Sequence, residues 1–307
     1  MPTVFAGSAS YPPDGPRPVL TIGNFDGLHH GHRHLIHTLV EKARSMGVPS
    51  AVYTFDPPPR VVLAPTHHPP RIQTWTDKVR IMGKLGVDQV VVERFTRSFA
   101  QHPPSWFLDE VLATRIKPVG LVVGHDFRFG RGRVGDVDTV RSAFPDIPIV
   151  QVQPLMMNGE TVSSSRIRAA VVDGRVAEAA NWLGCPHRIR GTVVHGDARG
   201  RTIGFPTANL ETDSELIPAK GVYAVRARSN QGEWMDAVAN LGTRPTFDGR
   251  SFLVEVHLIN FSGELYGAEM EVAFVERLRG ETAFTSPAEL AQQIQIDVAQ
   301  ATAALKR

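Results

Sequence analysis

The feature that most constrains the fold of this sequence is a change of pattern near the middle of the chain. Through the first half, short apolar runs alternate with stretches in which apolar residues recur at helical spacing. Between 32 and 46, for example, Leu35, Leu39 and Ala43 repeat along one face and Gly47 ends the pattern. Strands that alternate with helices in this way indicate βαβ units and a parallel sheet covered on both faces. The runs predict strands at 18–22, 50–55, 87–92, 120–124 and 147–152.

Helices are predicted between and after these strands. Thr76 is expected to cap a helix that continues through Leu85, and the prolines at 103–104 suit the first turn of the next helix. The predicted helices span 32–46, 76–85, 103–116, 164–172 and 174–184.

After W-L-G-C-P-H (182–187) strand signals dominate the chain. N-Q-G at 230–232 is a plausible hairpin turn, and Ser286-Pro287 opens a last helix. Short strands with glycine-rich turns indicate an antiparallel barrel or sandwich. We therefore predict two domains, 1–184 and 185–307. The predicted strands of the second domain are 190–194, 221–227, 235–241, 251–259 and 270–275.

Composition narrows the functional classes. With a formal net charge of +2 over 307 residues, the chain has no strong basic field that would favour nucleic acid or an anionic membrane as partner. No apolar run approaches the roughly 20 residues that span a bilayer, and the first residues lack the basic start and apolar core of a signal peptide. The single cysteine, Cys185, excludes an intrachain disulfide and fits a reducing cytoplasm. A weak homo-oligomer stays open.

The stretch I-G-N-F-D-G-L-H-H-G-H (22–32) places histidines directly after the first predicted strand. Ligands bind at such loops in parallel sheets, and the following helix offers bare N–H groups to a phosphate. His29 and His32 lie at this turn, and Gly31 allows close backbone approach. Two other interpretations are a solvated turn and a metal site in which His30, His34 and His37 share one helix face.

This stretch resembles the G-x-F-D-x-x-H-x-G-H signature of nucleotidyltransferases, and V-S-S-S-R-I-R (162–168) is similar to a second element of that family. Ser163 or Ser164 can cap a helix there, although a solvated capping turn would look the same. The resemblance implies that His29, His32 and Arg168 act on ATP phosphates. It also implies nucleotide contacts at Gly23, Asn24, Phe25, Asp26, Gly31, Ser164 and Ser165.

A glycine-rich loop, G-H-D-F-R-F-G-R-G-R-V-G-D (124–136), follows the fourth predicted strand and carries Arg128, Arg131 and Arg133. By itself it could be an RNA-binding loop or a surface turn. It resembles the loop that closes over ATP and flavin in bacterial FAD synthetases, which implies a nucleotide contact at Asp126.

The stretch H-G-D-A-R-G-R-T-I-G-F-P-T-A-N-L (195–210) is the most specific in the chain. Its glycines recur every four residues without helical apolar spacing, which predicts a flexible loop. Thr207 and Asn209 offer two neutral oxygen ligands suited to a Mg²⁺ that carries ATP phosphates, although an ordinary capping turn would use the same pair. The stretch closely resembles the signature of riboflavin kinases, which implies nucleotide contacts at Gly196, Arg201, Gly204 and Pro206.

Strand alternation in S-F-L-V-E-V-H-L-I (251–259) places Phe252, Val254, Val256 and Leu258 on an apolar face and turns Glu255 to the other side, with His257. A lone strand glutamate is usually just solvated. The riboflavin kinase resemblance implies that Glu255 is the base that takes the proton of the riboflavin 5′-hydroxyl.

From about residue 17 to 305 the chain resembles the bifunctional bacterial riboflavin kinase/FAD synthetases. The resemblance implies a nucleotidyltransferase-like, Rossmann-like α/β domain followed by an antiparallel β-barrel with a C-terminal helix. It further implies two sequential reactions with ATP and Mg²⁺, riboflavin to FMN and FMN to FAD.

The chain departs from the family pattern at three positions, Pro58, Ser165 and Arg244. Pro58 stands where the family often has histidine, Ser165 keeps the hydroxyl of a threonine, and Arg244 stands where asparagine is common. Pro58 leaves open a riboflavin kinase with weak adenylylation. A flavin- or nucleotide-binding regulator is the third hypothesis, against which Glu255, Thr207 and Asn209 stand.

Overall fold

A computed structural model of the chain describes residues 1–196, 204–230, 232–246 and 249–306, and the side chains of all of these except 244–246 and 249–251. Contacts between Cα atoms divide the chain into two compact units. The first comprises Met1–Pro69 and Thr74–Val162, and the second comprises Pro70–Gln73 and Ser163–Arg307.

The first unit is built on a six-stranded parallel sheet with the strand order β1-β4-β3-β2-β5-β6. All five predicted strands are confirmed, and β1 joins them at one edge. The three residues of β1, of which only Val4 and Phe5 are apolar, give no strand signal, because the pairing of β1 with β4 is a long-range contact. The strands are β1 Thr3–Phe5, β2 Val19–Ile22, β3 Ser50–Phe55, β4 Gln89–Glu93, β5 Gly120–Gly124 and β6 Ile149–Val152, and a small hairpin follows with β7 Met156–Met157 and β8 Glu160–Thr161.

Helices cover both faces of this sheet, as the buried strands require. One apolar cluster joins Val52 and Val90 to Leu39 and Met82, while Tyr53 and its neighbours pack on the opposite face. The helices are α1 His30–Ser45, α2 Pro59–Leu63, α3 Trp75–Lys84, α4 Arg97–Ala100, α5 Pro104–Trp106 and α6 Val137–Ala143.

Two helical details differ from the expectation. Thr74, not Thr76, caps α3, because its hydroxyl accepts the N–H of Asp77 at 3.2 Å. The predicted helix 103–116 changes after α5 into a π-helix, Phe107–Ile116, which ends where the N–H of Lys117 donates to the carbonyl of Leu112 at 2.7 Å.

The second unit contains a closed antiparallel barrel with the strand order β10-β13-β12-β11-β14-β9, which settles the choice between barrel and sandwich. Alternate side chains of every strand fill its interior, among them Ile189, Leu210, Val225, Val254 and Phe274. The barrel strands are β9 His187–Val194, β10 Ala208–Glu211, β11 Gly221–Ser229, β12 Met235–Thr246, β13 Gly249–Leu258 and β14 Glu269–Arg279.

Three helices also belong to this unit, namely α7 Ser164–Val172, α8 Val176–Leu183 and α9 Pro287–Leu305. The prediction places α7 and α8 before the boundary at 184, whereas Val176 at the start of α8 packs into the barrel cluster. Helix α9 packs Ala301 and Leu305 on the outer side of Val222.

Candidate active sites

The histidine loop, residues 23–29, follows β2 at the point where the strand order of the sheet reverses. Strands β3 and β4 lie on one side of β2, and strands β5 and β6 lie on the other side. Crevices at such points are where open α/β sheets bind ligands. The predicted nucleotide residues of this loop differ in exposure, because Phe25 is buried whereas Gly23, Asn24 and Asp26 are accessible to solvent.

His29 and His32 form one unit at the start of α1. Nδ1 of His29 accepts the backbone N–H of His32 at 3.3 Å and so caps the helix. The two rings stack with centroids 3.7 Å apart. Since Nδ1 of His29 is an acceptor in this cap, the neutral ring carries its proton on Nε2 and donates from that atom. The structure therefore brings this predicted pair together.

Gly31 is required by the histidine pair. A Cβ at Gly31 would lie 3.2 Å from Cε1 and Nδ1 of the His29 ring, which is tighter than ordinary van der Waals contact. The alternative metal site at His30, His34 and His37 has no counterpart, because no group of three or more His, Cys, Asp or Glu in the described residues could hold a metal ion.

The second nucleotidyltransferase motif opens α7 as predicted. Ser163 is the capping residue and accepts the N–H of Arg166 at 3.4 Å, and Ser164 and Ser165 form the first turn. Arg168 donates through Nε to the carbonyl oxygen of Pro70 at 2.8 Å. These residues belong to the second compact unit, so their action on the same nucleotide as His29 stays a prediction.

The glycine-rich loop after β5 is anchored by two aromatic rings. Phe127 and Phe129 are buried and stack with centroids 5.4 Å apart, while the side chain of Asp126 is 79% exposed. The loop ends at Asp136, which caps α6; hydrogen bonds from the backbone N–H and the hydroxyl of Thr139 hold the pKa of this carboxyl below its usual value. The exposed Asp126 thus lies on a loop that is anchored by the buried phenylalanine pair and by the Asp136 cap.

On the barrel, three polar side chains stand in one row across neighbouring strands. Asn209 of β10 pairs with Glu255 of β13, which in turn pairs with Asn240 of β12. Nδ2 of Asn240 donates to Oε2 of Glu255 at 3.2 Å. The neighbours of Glu255 in its strand, Val254 and Val256, are buried in the barrel, so the row lies on the outer face. The predicted orientation of Glu255 is confirmed.

The donor set beside Glu255 fits a hard cation. Asn209 is 8% exposed, and its Oδ1 is buried without a hydrogen-bond partner among the described residues. Gly196 makes room for this amide, since a Cβ there would lie 2.1 Å from Nδ2 of Asn209. An orphaned neutral oxygen one strand from a carboxylate suits Mg²⁺. Thr207, partly buried, precedes Asn209 by two residues.

The segment before Thr207 is fastened to the strand that carries Glu255. Nδ1 of His257 hydrogen-bonds the carbonyl oxygen of Pro206 at 2.8 Å, and its ring meets Phe205 edge-on with centroids 5.5 Å apart. Gly204, with φ of 87°, has the left-handed backbone that glycine favours. The predicted contact at Arg201 lies outside the described residues.

One prediction on this strand is wrong, because Phe252 is 52% exposed instead of facing the barrel core. It lies near the start of β13, beyond the residues whose alternate side chains fill the interior. Strand β10 is a second difference, because three of its four residues, Ala208 to Leu210, lie in the stretch 195–210 that predicts a flexible loop.

The sequence patterns assign no supporting role to three residues that hold the candidate sites: Asn240, His257 and Lys78. Lys78 of α3 is 6% exposed and donates from Nζ to the carbonyl oxygen of Asn24 at 2.8 Å. Their partners lie 15, 51 and 54 positions away in sequence. No local pattern indicates contacts across such separations.

None of the helices within the described ranges is long and apolar enough to cross a membrane. A parallel sheet with a histidine-capped helix at its switch point, and a barrel that sets a carboxylate beside oxygen ligands suited to a cation, are arrangements typical of transferases that handle phosphoryl groups.

Comparisons with known proteins give the family. A family model described as FAD synthetase matches residues 12–166, and one described as riboflavin kinase matches residues 183–305. The chain is 39% identical to the bifunctional riboflavin kinase/FMN adenylyltransferase of Haemophilus influenzae, over 92% of this chain and 93% of the relative. With the Escherichia coli K12 protein of the same name the identity is 41%, over 91% and 90% of the two chains. The chain belongs to the family of bifunctional riboflavin kinase/FMN adenylyltransferases.

A solved structure from Streptococcus pneumoniae, described as a macrolide-efflux protein, has a similar fold over nearly the whole chain. Its TM-score is 0.89 at 32% identity, with 97% of each chain covered. The likeness supports the architecture of both units.

Proposed function

We propose that the barrel unit phosphorylates riboflavin through Glu255 and that the parallel-sheet unit adenylylates the resulting FMN through His29 and His32. Both reactions, riboflavin to FMN and FMN to FAD, are the activities of the family to which the chain belongs. The observation that carries the residue assignment is the row of Asn209, Glu255 and Asn240 across three strands.

In the kinase reaction, the carboxylate of Glu255 accepts the proton of the riboflavin 5′-hydroxyl as that oxygen attacks the γ-phosphorus of ATP. The new O–P bond forms while the bond to the β-phosphate oxygen breaks, and ADP leaves. Asn240 holds Oε2 of Glu255, which directs Oε1 to the hydroxyl. A carboxylate that is already oriented acts as a general base without a further loss of conformational entropy.

Thr207 and Asn209 are the residues that would hold Mg²⁺ beside this base. The cation, when bound with ATP, neutralises charge on the transferring phosphoryl group. The hydrogen bond between His257 and Pro206 keeps the segment that carries Thr207 and Asn209 against β13. Gly196, Arg201, Gly204 and Pro206 would surround the nucleotide.

In the adenylyl transfer, a phosphate oxygen of FMN attacks the α-phosphorus of ATP and pyrophosphate leaves. Nε2–H of His29 and the His32 ring donate hydrogen bonds to the charge that develops on the phosphate oxygens. The N–H groups that open α1 add to this attraction. Asp126 is a further proposed nucleotide contact of this unit, and Arg168, Ser164 and Ser165 are proposed nucleotide contacts on α7.

Chromatography of flavins tests the assignment. Pure protein incubated with riboflavin, ATP and Mg²⁺ is expected to form FMN first and FAD later, and EDTA should stop both reactions. FMN that never becomes FAD would instead support the kinase with weak adenylylation that Pro58 leaves open. No conversion at all would support a binding protein. Cytoplasmic location and a weak homo-oligomer remain predictions of the sequence.

A further inference from the structure

Two backbone carbonyl groups of the loop between β2 and α1 accept hydrogen bonds from cationic side chains. Nζ of Lys78 donates to the carbonyl oxygen of Asn24 at 2.8 Å, and Nε of Arg33 donates to the carbonyl oxygen of Leu28 at 2.9 Å. Lys78 is 6% exposed, although lysine is among the residues least often buried because removing an ammonium group from water is costly. A buried lysine directed at a backbone carbonyl therefore calls for a reason.

The loop itself has an unfavourable backbone. Phe25 and Leu28 have φ of 49° and 41°, and Gly27 between them has φ of 90°. Residues other than glycine are strained in this region and persist only where surrounding contacts fix them. Burial of the Phe25 and Leu28 side chains supplies part of that constraint. A second donor, Oγ1 of Thr54, lies 3.4 Å from the carbonyl oxygen that Lys78 binds.

The direction of these hydrogen bonds fixes where the loop N–H groups point. In a trans peptide the C=O and the following N–H lie on opposite sides of the chain. Because the Asn24 carbonyl points to Lys78, the N–H of Phe25 points away from Lys78. Likewise the Leu28 carbonyl points to Arg33, so the N–H of His29 points away from Arg33. Both N–H groups flank the loop proposed to contact ATP.

We propose that Lys78 is a positioning residue for adenylyl transfer. Its ammonium group fixes the Asn24–Phe25 peptide so that the loop N–H groups face the phosphates of ATP, and it adds a positive charge beneath them. This inference rests on the proposed assignment of the histidine loop to ATP. It predicts an effect on ATP binding, since the contacts exist before the chemical step.

The test compares Lys78→Met, Lys78→Gln and the control Lys84→Met, which removes an exposed lysine from the same helix. FMN-to-FAD conversion is measured as a function of ATP concentration, and riboflavin phosphorylation is measured on the same samples. We expect the KM for ATP in FAD formation to rise about tenfold in Lys78→Met, with kcat within about threefold. Lys84→Met and all kinase rates should stay within about twofold of the parent.

A purely structural role gives a different result, because loss of folded protein lowers kcat and leaves the KM for ATP unchanged. That outcome would overturn the proposal. If Lys78→Met does not fold, Lys78→Gln carries the test, since it keeps a donor without the charge; an unchanged KM for ATP in this variant would also overturn it. Parent protein that forms no FAD would contradict the proposed function instead, so the two failures are distinguishable.

Discussion

At the residue scale, the proposed kinase site depends on a side chain that does no chemistry itself. Asn240 donates to Oε2 of Glu255 and so restricts the rotamer of this carboxylate, leaving Oε1 for the proposed contact with the substrate. A carboxylate without this partner would sample more than one orientation, and a general base works only within hydrogen-bond reach of its proton.

Replacing Asn240 by alanine should therefore slow FMN formation by about tenfold, mainly in kcat, because a loss of orientation affects the transition state. Steady-state phosphorylation of riboflavin measures the effect. FMN-to-FAD conversion by the same sample is the internal control and should not change. Kinase activity equal to that of the parent protein would show that Asn240 is not needed to orient Glu255.

Gly31 gives a second prediction at this scale, in which activity falls without a loss of stability. Alanine favours a helix over glycine by up to about 1 kcal/mol, so Gly31→Ala should not lower the thermal midpoint. Its Cβ would press on the His29 ring at 3.2 Å and displace the stack with His32. We expect FAD formation to fall about tenfold while FMN formation continues. Full FAD synthesis with a raised midpoint would show that this ring placement is unimportant.

At the element scale, one carboxylate links three strands on the outer face of the barrel. Glu271 of β14 is 6% exposed and pairs with guanidinium groups from two neighbouring strands, Arg188 and Arg190 of β9 and Arg228 of β11. Burial raises the pKa of the Glu271 carboxyl, but the three guanidinium groups outweigh burial and hold the pKa below its usual value. The charged carboxylate thus joins three strands.

Glu271→Gln should lower the free energy of unfolding at pH 7 by about 3 kcal/mol, because it leaves three guanidinium groups without their common partner. A depressed folded-state pKa stabilises above the ordinary carboxyl pKa of about 4.3 and loses that contribution as pH falls through the lowered value. Denaturant unfolding of both proteins from pH 7 to acid checks the sign. A difference that stays constant or grows on acidification contradicts it.

The elements also show where sequence patterns succeed and where they fail. Strands such as 50–55 and 120–124 were predictable, because buried parallel strands are continuous apolar runs bounded by turn residues. The strand β10 was not, since its four residues follow a glycine-rich stretch and gain their partners from β9 and β13. The exposed Phe252 shows the same limit, because hydrophobicity reports burial only where the barrel closes around the residue.

At the scale of the whole molecule, the sequence predicts the two sites from motifs but not the contacts that hold them. The sequence predicts site residues at five positions because each stands in a family signature, namely His29, His32, Thr207, Asn209 and Glu255. Lys78 and His257 are not among them, because their roles depend on carbonyl groups more than fifty positions away. Tertiary contacts of this kind leave no local periodicity.

The central claim is that each reaction has its own set of residues, and mixing two damaged proteins tests it most directly. Glu255→Gln should convert FMN to FAD but leave riboflavin unchanged, since the base is lost. His32→Ala should convert riboflavin to FMN and stop there. An equimolar mixture supplied with riboflavin, ATP and Mg²⁺ should then form FAD, which flavin chromatography detects. Loss of both conversions in either variant, or a mixture that forms no FAD, would contradict the account.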